Sequence, residues 1–216
     1  MPTTTNFGWT TPADTDLVSQ GAAAMRTLGN GVDTSFVSLK GGLTGQALVK
    51  SSATDLAYAW EANGWYQLGT SSLTTSTTNI SSLPTTYKDL RIVINGYSQN
   101  TVQTTAFLRI GNGSASATGY LTVKNPFSAT WTGSTTATDL LGSGYSVGTA
   151  IATDIVVDIF QVAETNLIKT FMSQVQNSSG SQVCLGQWTG TTAINYVSFV
   201  AGVTPTAGTM TVYGRM

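Results

Sequence analysis

The sequence predicts a mainly β protein, with a short N-terminal helix, a small hairpin connector and a C-terminal antiparallel β-sandwich or jelly roll. Three observations carry this expectation. Charged residues are only 9% of the 216, against about 25% in ordinary soluble domains. Threonine and serine take the polar role instead, and threonine's β-branch suits a pleated, half-buried surface. From about residue 69 onward, short runs alternating apolar and polar residues recur between turn signals, as in Phe171-Met172-Ser173-Gln174-Val175-Gln176 and Asn195-Tyr196-Val197-Ser198-Phe199-Val200. A period of two is the signature of a strand with one buried face.

The first region, 1–36, carries the helix. Thr11-Pro12-Ala13-Asp14 reads as its start, with Thr11 as N-cap, Pro12 in the first turn, and Asp14 and Asp16 where the helix dipole favours negative charge. Leu17, Gly21, Ala24, Leu28 and Val32 then recur at spacings of three and four, a narrow apolar stripe on one helical face. One short helix cannot bury such a stripe by itself. Either three copies close around a shared axis as a parallel bundle, or the helix packs on the body of its own domain. Gly29 and Gly31 mark either the end of the helix or a hinge before Phe36.

The second region, 37–68, is a connector. Ala47-Leu48-Val49-Lys50 and Asp55-Leu56-Ala57-Tyr58-Ala59-Trp60 are strand-like runs flanking a turn-rich stretch, so a hairpin is expected. The third, 69–216, holds strand candidates at 90–97, 106–110, 154–162, 169–175, 183–188, 193–200 and 209–213, and no long helical pattern interrupts them. Regular short strands with turns between them argue for a sandwich.

Composition excludes several functions. The formal net charge is −1 with no basic run, so nucleic-acid binding and a polybasic membrane anchor lack their electrostatic footprint. No apolar run is long enough to span a bilayer, and Met1-Pro2-Thr3-Thr4-Thr5 has no signal-peptide pattern. The chain has no histidine and a single cysteine, Cys184. Histidine-based triads and histidine metal sites are therefore ruled out, and Cys184 reads as a small buried hydrophobe. No cofactor and no metal are expected.

Against this background the N-terminal residues Asn6-Phe7-Gly8-Trp9-Thr10-Thr11-Pro12-Ala13-Asp14, followed by Gly21-Ala22-Ala23-Ala24-Met25-Arg26-Thr27-Leu28, resemble the attachment segment of tail-fibre and minor tail proteins of tailed bacteriophages. Gly41-Gly42-Leu43-Thr44-Gly45-Gln46-Ala47-Leu48-Val49-Lys50 looks like the connector of such fibres. Leu83-Pro84-Thr85-Thr86-Tyr87-Lys88-Asp89-Leu90, with Val212-Tyr213-Gly214 near the end, is similar to their β-sandwich head. The resemblance implies a homotrimeric virion protein, joined through its N-terminus to an adjacent tail or capsid protein and displaying its head to a host-surface glycan or receptor. A capsid head fibre or cement protein is the alternative. The Gly29-Asn30-Gly31 run departs from the helix-favouring continuation of those fibres.

Candidate site residues follow from chemistry. Trp131, in a polar glycine-containing stretch, Trp188 at a strand end, and Tyr145 between Gly144 and Ser146 are aromatic faces that could stack on a sugar or cover a sheet edge or trimer interface. Phe7 and Trp9 either insert into a neighbouring virion protein or fold back on the helix as a staple. Asp154 and Asp158 share a strand face, an arrangement compatible with the paired carboxylates of a glycosidase or with two hydrogen-bonded surface aspartates. The second outweighs the first, since the only glutamates, Glu61 and Glu164, lie in different regions, so the chain is expected not to be an enzyme.

Overall fold

A computed structural model describes residues 2–43, 46–62, 64–100, 104–126, 132–142, 145–147, 151–178 and 180–216. The chain is mainly β, with one short N-terminal helix and antiparallel sheets. It divides into two units, Met1–Asn63 and Gly64–Met216. The second unit therefore begins ahead of residue 69 and takes in 64–68, because Tyr66–Ser72 is a strand of its larger sheet.

In the first unit, Thr3 and Thr10 form a β-bridge around a tight turn in which Gly8 adopts φ 66°. The helix α1 spans Gly21–Phe36, preceded and followed by 3-10 turns at Val18–Gln20 and Val37–Leu39. It does not start at Thr11. The Thr11 N–H donates to the Pro2 carbonyl at 2.8 Å and its hydroxyl also donates there, which ties this stretch to the Thr3–Thr10 bridge ahead of the helix. The Asp16 carboxylate instead accepts the Ala13 N–H at 2.7 Å, closing a local turn. Leu17 consequently lies outside α1, while Gly21, Ala24, Leu28 and Val32 lie on it. Nor do Gly29 and Gly31 end or hinge the helix, which runs through both. Trp9 lies on the Gly31 surface, and its indole N–H donates to Ser35 Oγ at 2.8 Å. The expected hairpin is present as β1 (Gln46–Lys50) and β2 (Tyr58–Ala62), antiparallel. Gly42, at φ 86°, lets the Trp60 ring come closer than any Cβ would permit.

The second unit contains β3 (Tyr66–Ser72), β4 (Thr77–Ile80), β5 (Asp89–Ser98), β6 (Thr104–Gly111), β7 (Tyr120–Pro126), β8 (Thr132–Ala137), β9 (Tyr145–Val147), β10 (Thr153–Phe160), β11 (Lys169–Asn177), β12 (Gly180–Trp188), β13 (Tyr196–Val200) and β14 (Ala207–Arg215). An eight-stranded sheet, β3-β14-β5-β10-β11-β12-β7-β8, and a four-stranded one, β4-β13-β6-β9, share one core. Alternate residues point inward, such as Ile155, Val157 and Ile159 of β10 and Phe171 and Val175 of β11. Tyr97 of β5 meets Phe199 of β13 edge-on, ring centroids 4.9 Å apart. Both neighbours of β5 shift register around its Gly96, a bulge secured by Asp154, whose carboxylate accepts the Gly96 N–H at 2.7 Å.

Part of the core is loop. Residues 139–142 run buried through the sandwich, and their polar backbone is satisfied without a ladder. The Leu140 N–H donates to the Leu108 carbonyl, the Ser173 hydroxyl to the Leu140 carbonyl and the Gln182 amide to the Leu141 carbonyl.

Candidate functional site

Two surfaces are unusual for what they leave uncovered. The first is the N-terminal unit. Among its described residues the only buried apolar side chain is Ala24, while Leu17, Val18, Met25, Val37, Leu39 and Leu43 are exposed, Val18 at 97%. Met25 and Val32 stand seven residues apart on α1, the spacing of a helix seam shared with other helices, and Val18 and Leu39 lie in the 3-10 turns at its two ends. The stripe expected on Leu17, Gly21, Ala24, Leu28 and Val32 leaves out Val18, Met25 and Leu39, which are exposed apolar residues of this unit. Phe7 and Trp9 fold back on this unit. They stack on each other with ring centroids 4.7 Å apart, and Trp9 meets Phe36 edge-on at 5.9 Å. Of the two fates considered for them, this is the staple-like one, though Phe7 keeps about half its surface exposed.

The second surface is the outward face of the larger sheet. Val123, Leu185 and Met172 are directly opposite one another across β7, β12 and β11, each 44–45% exposed. Val183 and Val156 flank this row with Gln174 between them. An antiparallel sheet ordinarily turns polar residues to solvent on its outer face. Beside the row lies a groove of about 560 Å³ with an aliphatic floor of Leu121, Val123 and Leu185 and a rim of Thr170, Gln187 and Ser134. A register shift between β7 and β8 forms its outer wall. None of its lining residues is charged.

At the opposite side of the face the charges neutralise each other. Arg91 makes a bidentate pair with Asp158 at 2.6 and 2.8 Å, and Arg215 pairs with Asp89 at 2.5 Å. The Trp65 ring lies against both guanidinium groups, at 4.7 and 5.1 Å. Asp158 is thus held by Arg91 and Asp154 by the β5 bulge. This is the hydrogen-bonded reading of that pair.

The aromatic candidates fare differently. Trp188 is a correction: it is 5% exposed and belongs to the core. Its ring occupies the space that a side chain at Gly190 would need, so no face remains for a sugar. The strand-end position suggested a rim residue, but the following Thr189-Gly190 turn folds over the ring. Tyr145 is partly buried against the core, and its hydroxyl accepts the Asn177 side-chain amide at 3.1 Å. Trp131 lies outside the described residues. Cys184 is fully buried, and burial pushes its thiol pKa up to about 11.

Among the described residues, no group of three or more cysteine, aspartate or glutamate side chains could hold a metal ion, and no helix is long and apolar enough to cross a membrane. No protein-family model and no curated protein matches the chain.

Proposed function

We propose that this chain is a bacteriophage virion fibre protein, a homotrimer joined to the particle through its N-terminal unit and presenting its β-sandwich as a host-recognition head, with no catalytic activity of its own. One observation carries the reading. Among the described residues of this some sixty-residue unit a single alanine is buried and seven large apolar side chains are exposed, and a unit of that size without a core needs partner chains to be stable. The second unit has a complete core and no such need. A chain whose first part is stable only in an assembly, and whose second part is a self-sufficient sandwich, suits a protein that is held by one end and displays the other. The neutralised ion pairs and the structural roles of Asp154 and Asp158 support a binding rather than a catalytic head.

Sedimentation of the full chain tests the assembly: a trimer is expected, and a folded single-chain species at high concentration overturns the reading. Immunogold labelling of intact particles locates the protein. Gold at the tail is expected, and even labelling of the capsid lattice would transfer the same architecture to a decoration role. Purified protein should compete with phage for adsorption to host cells, and should release no new reducing ends from host polysaccharide.

A further inference from the structure

We propose that the outward face of β7, β12, β11 and β10 is a second contact between copies of this chain, packing against the head of a neighbouring copy. The proposal rests on the reading that the N-terminal units join the copies.

The face is apolar where water should meet polar side chains. Val123, Leu185 and Met172 form one unbroken cross-strand row. Val183 and Val156 lie in the row on one side of it, and Leu121 and Phe160 in the row on the other side, beside Gln187 and Thr170. The same strands are also apolar on their inner side, through Ile155, Val157, Phe171, Val175 and Cys184. The outward parity of these strands also carries polar residues such as Thr170, Gln174 and Gln187, and a contiguous apolar row among them is what a second covered face of a sheet leaves. Inward burial accounts for one parity, and among the described residues Val123, Leu185 and Met172 of the other keep 44–45% of their surface exposed.

Charge narrows the identity of the cover. The only charged residues pointing outward from these four strands are Asp154 and Asp158, both on β10, and Asp158 is neutralised by Arg91. A nucleic acid would find no cation on this face, and a strongly basic protein only the single unpaired charge of Asp154. A surface as charge-poor as this chain's own, with 9% charged residues, is the matching partner.

Size narrows it further. Four strands about 4.8 Å apart and three rows about 7 Å apart give a patch on the order of 400 Å². That is roughly half of the ~800 Å² per partner that a stable free-standing interface buries. A partner arriving from solution would not be held by it. A copy already joined at its other end faces the patch at an effective concentration of about millimolar, and for such a partner a small contact suffices.

The test uses the full chain with a cysteine introduced by Met172→Cys, and a maleimide as the probe. Thr118→Cys, at an exposed loop position, sets the rate for an open site, and native Cys184 is buried and silent until unfolding. In the assembled chain, Met172→Cys should label at least ten-fold more slowly than Thr118→Cys. Adding Leu185→Arg should restore the open-site rate without changing the number of copies seen in sedimentation, because the N-terminal units still hold them. An assembled chain in which Met172→Cys labels as fast as Thr118→Cys overturns this contact and leaves the fibre reading standing. A single-chain species overturns both.

Discussion

Lys169 has no exposed surface, yet it carries a cation in a sandwich core. Its ammonium donates to the backbone carbonyls of Glu164, Leu167 and Thr191, matching its three protons to three acceptors and tying the 161–168 loop to the start of β13's approach. Lys169→Met keeps the stem but strands three carbonyls, so it should lower stability by about 3 kcal/mol, read as a lower urea midpoint. Titration behaviour follows from the same burial. Burial pushes Cys184 up to about 11 and Tyr97 up to about 12, and raises Tyr120 further. Each is an acid whose folded pKa exceeds its unfolded one. Its contribution is therefore intact below the unfolded value and lost as pH rises through the folded value. Burial lowers the pKa of Lys169, with Glu164 opposing the shift, and a lowered folded pKa acts in the opposite sense at alkaline pH, one group against three. The melting temperature should accordingly stay level up to about pH 9 and fall steadily from there to pH 12. A thermal-melt series across that range checks the sign. Native Cys184 should be inert to a thiol reagent at pH 8 and react fully once the chain is unfolded.

Among the elements, β12 shows how tightly the sheet is specified. A Cβ on Gly186 would lie 2.5 Å from the Phe171 ring and 2.6 Å from the Leu121 carbonyl oxygen. Gly186 is therefore needed for close approach, in a strand where glycine otherwise costs stability. Gly186→Ala should destabilise the head by about 1–3 kcal/mol, because the ring or the β7 backbone must give way. Differential scanning calorimetry would show it as a lower head transition. Gly29 is the contrasting case: a Cβ there meets nothing within 4 Å, and the residue sits in the middle of α1. Gly29→Ala should stabilise the helix by about 0.5–1 kcal/mol, visible in the thermal loss of the helical circular-dichroism signal.

On the scale of the whole molecule, the two units differ in what they require. The second has a core drawn from both sheets, so residues 64–216 should fold alone, melt cooperatively and sediment as a single chain, because the patch proposed as a head contact is too small to act without the N-terminal unit. Residues 1–63 alone should be folded only where copies associate, with a melting temperature that rises with concentration. A concentration-independent melt of that fragment would remove the physical basis of the assembly. Deleting residues 1–10 takes away Phe7 and Trp9, which cover the C-terminal half of α1. It should weaken association and incorporation into particles while leaving the head transition unchanged.

The mainly β class, the hairpin and seven of the strands were legible in the sequence because each depends on neighbours a few residues apart: alternation in 169–175, turn residues after Lys50, and the absence of any helical period beyond 36. Strands such as β8, Thr132–Ala137, were illegible for the converse reason, since six threonine, serine, glycine and alanine residues carry no apolar period and are held by pairing with β7 alone. The helix starts later than Thr11-Pro12 suggests because the Thr11 backbone N–H pairs with the Pro2 carbonyl, a partner nine residues away. Burial of Trp188, neutralisation of Asp158 by Arg91, and the alignment of Val123, Leu185 and Met172 into one row were decided only by tertiary structure. Each depends on which strands become neighbours, and strand order is fixed by packing across the whole sandwich, which no local pattern encodes.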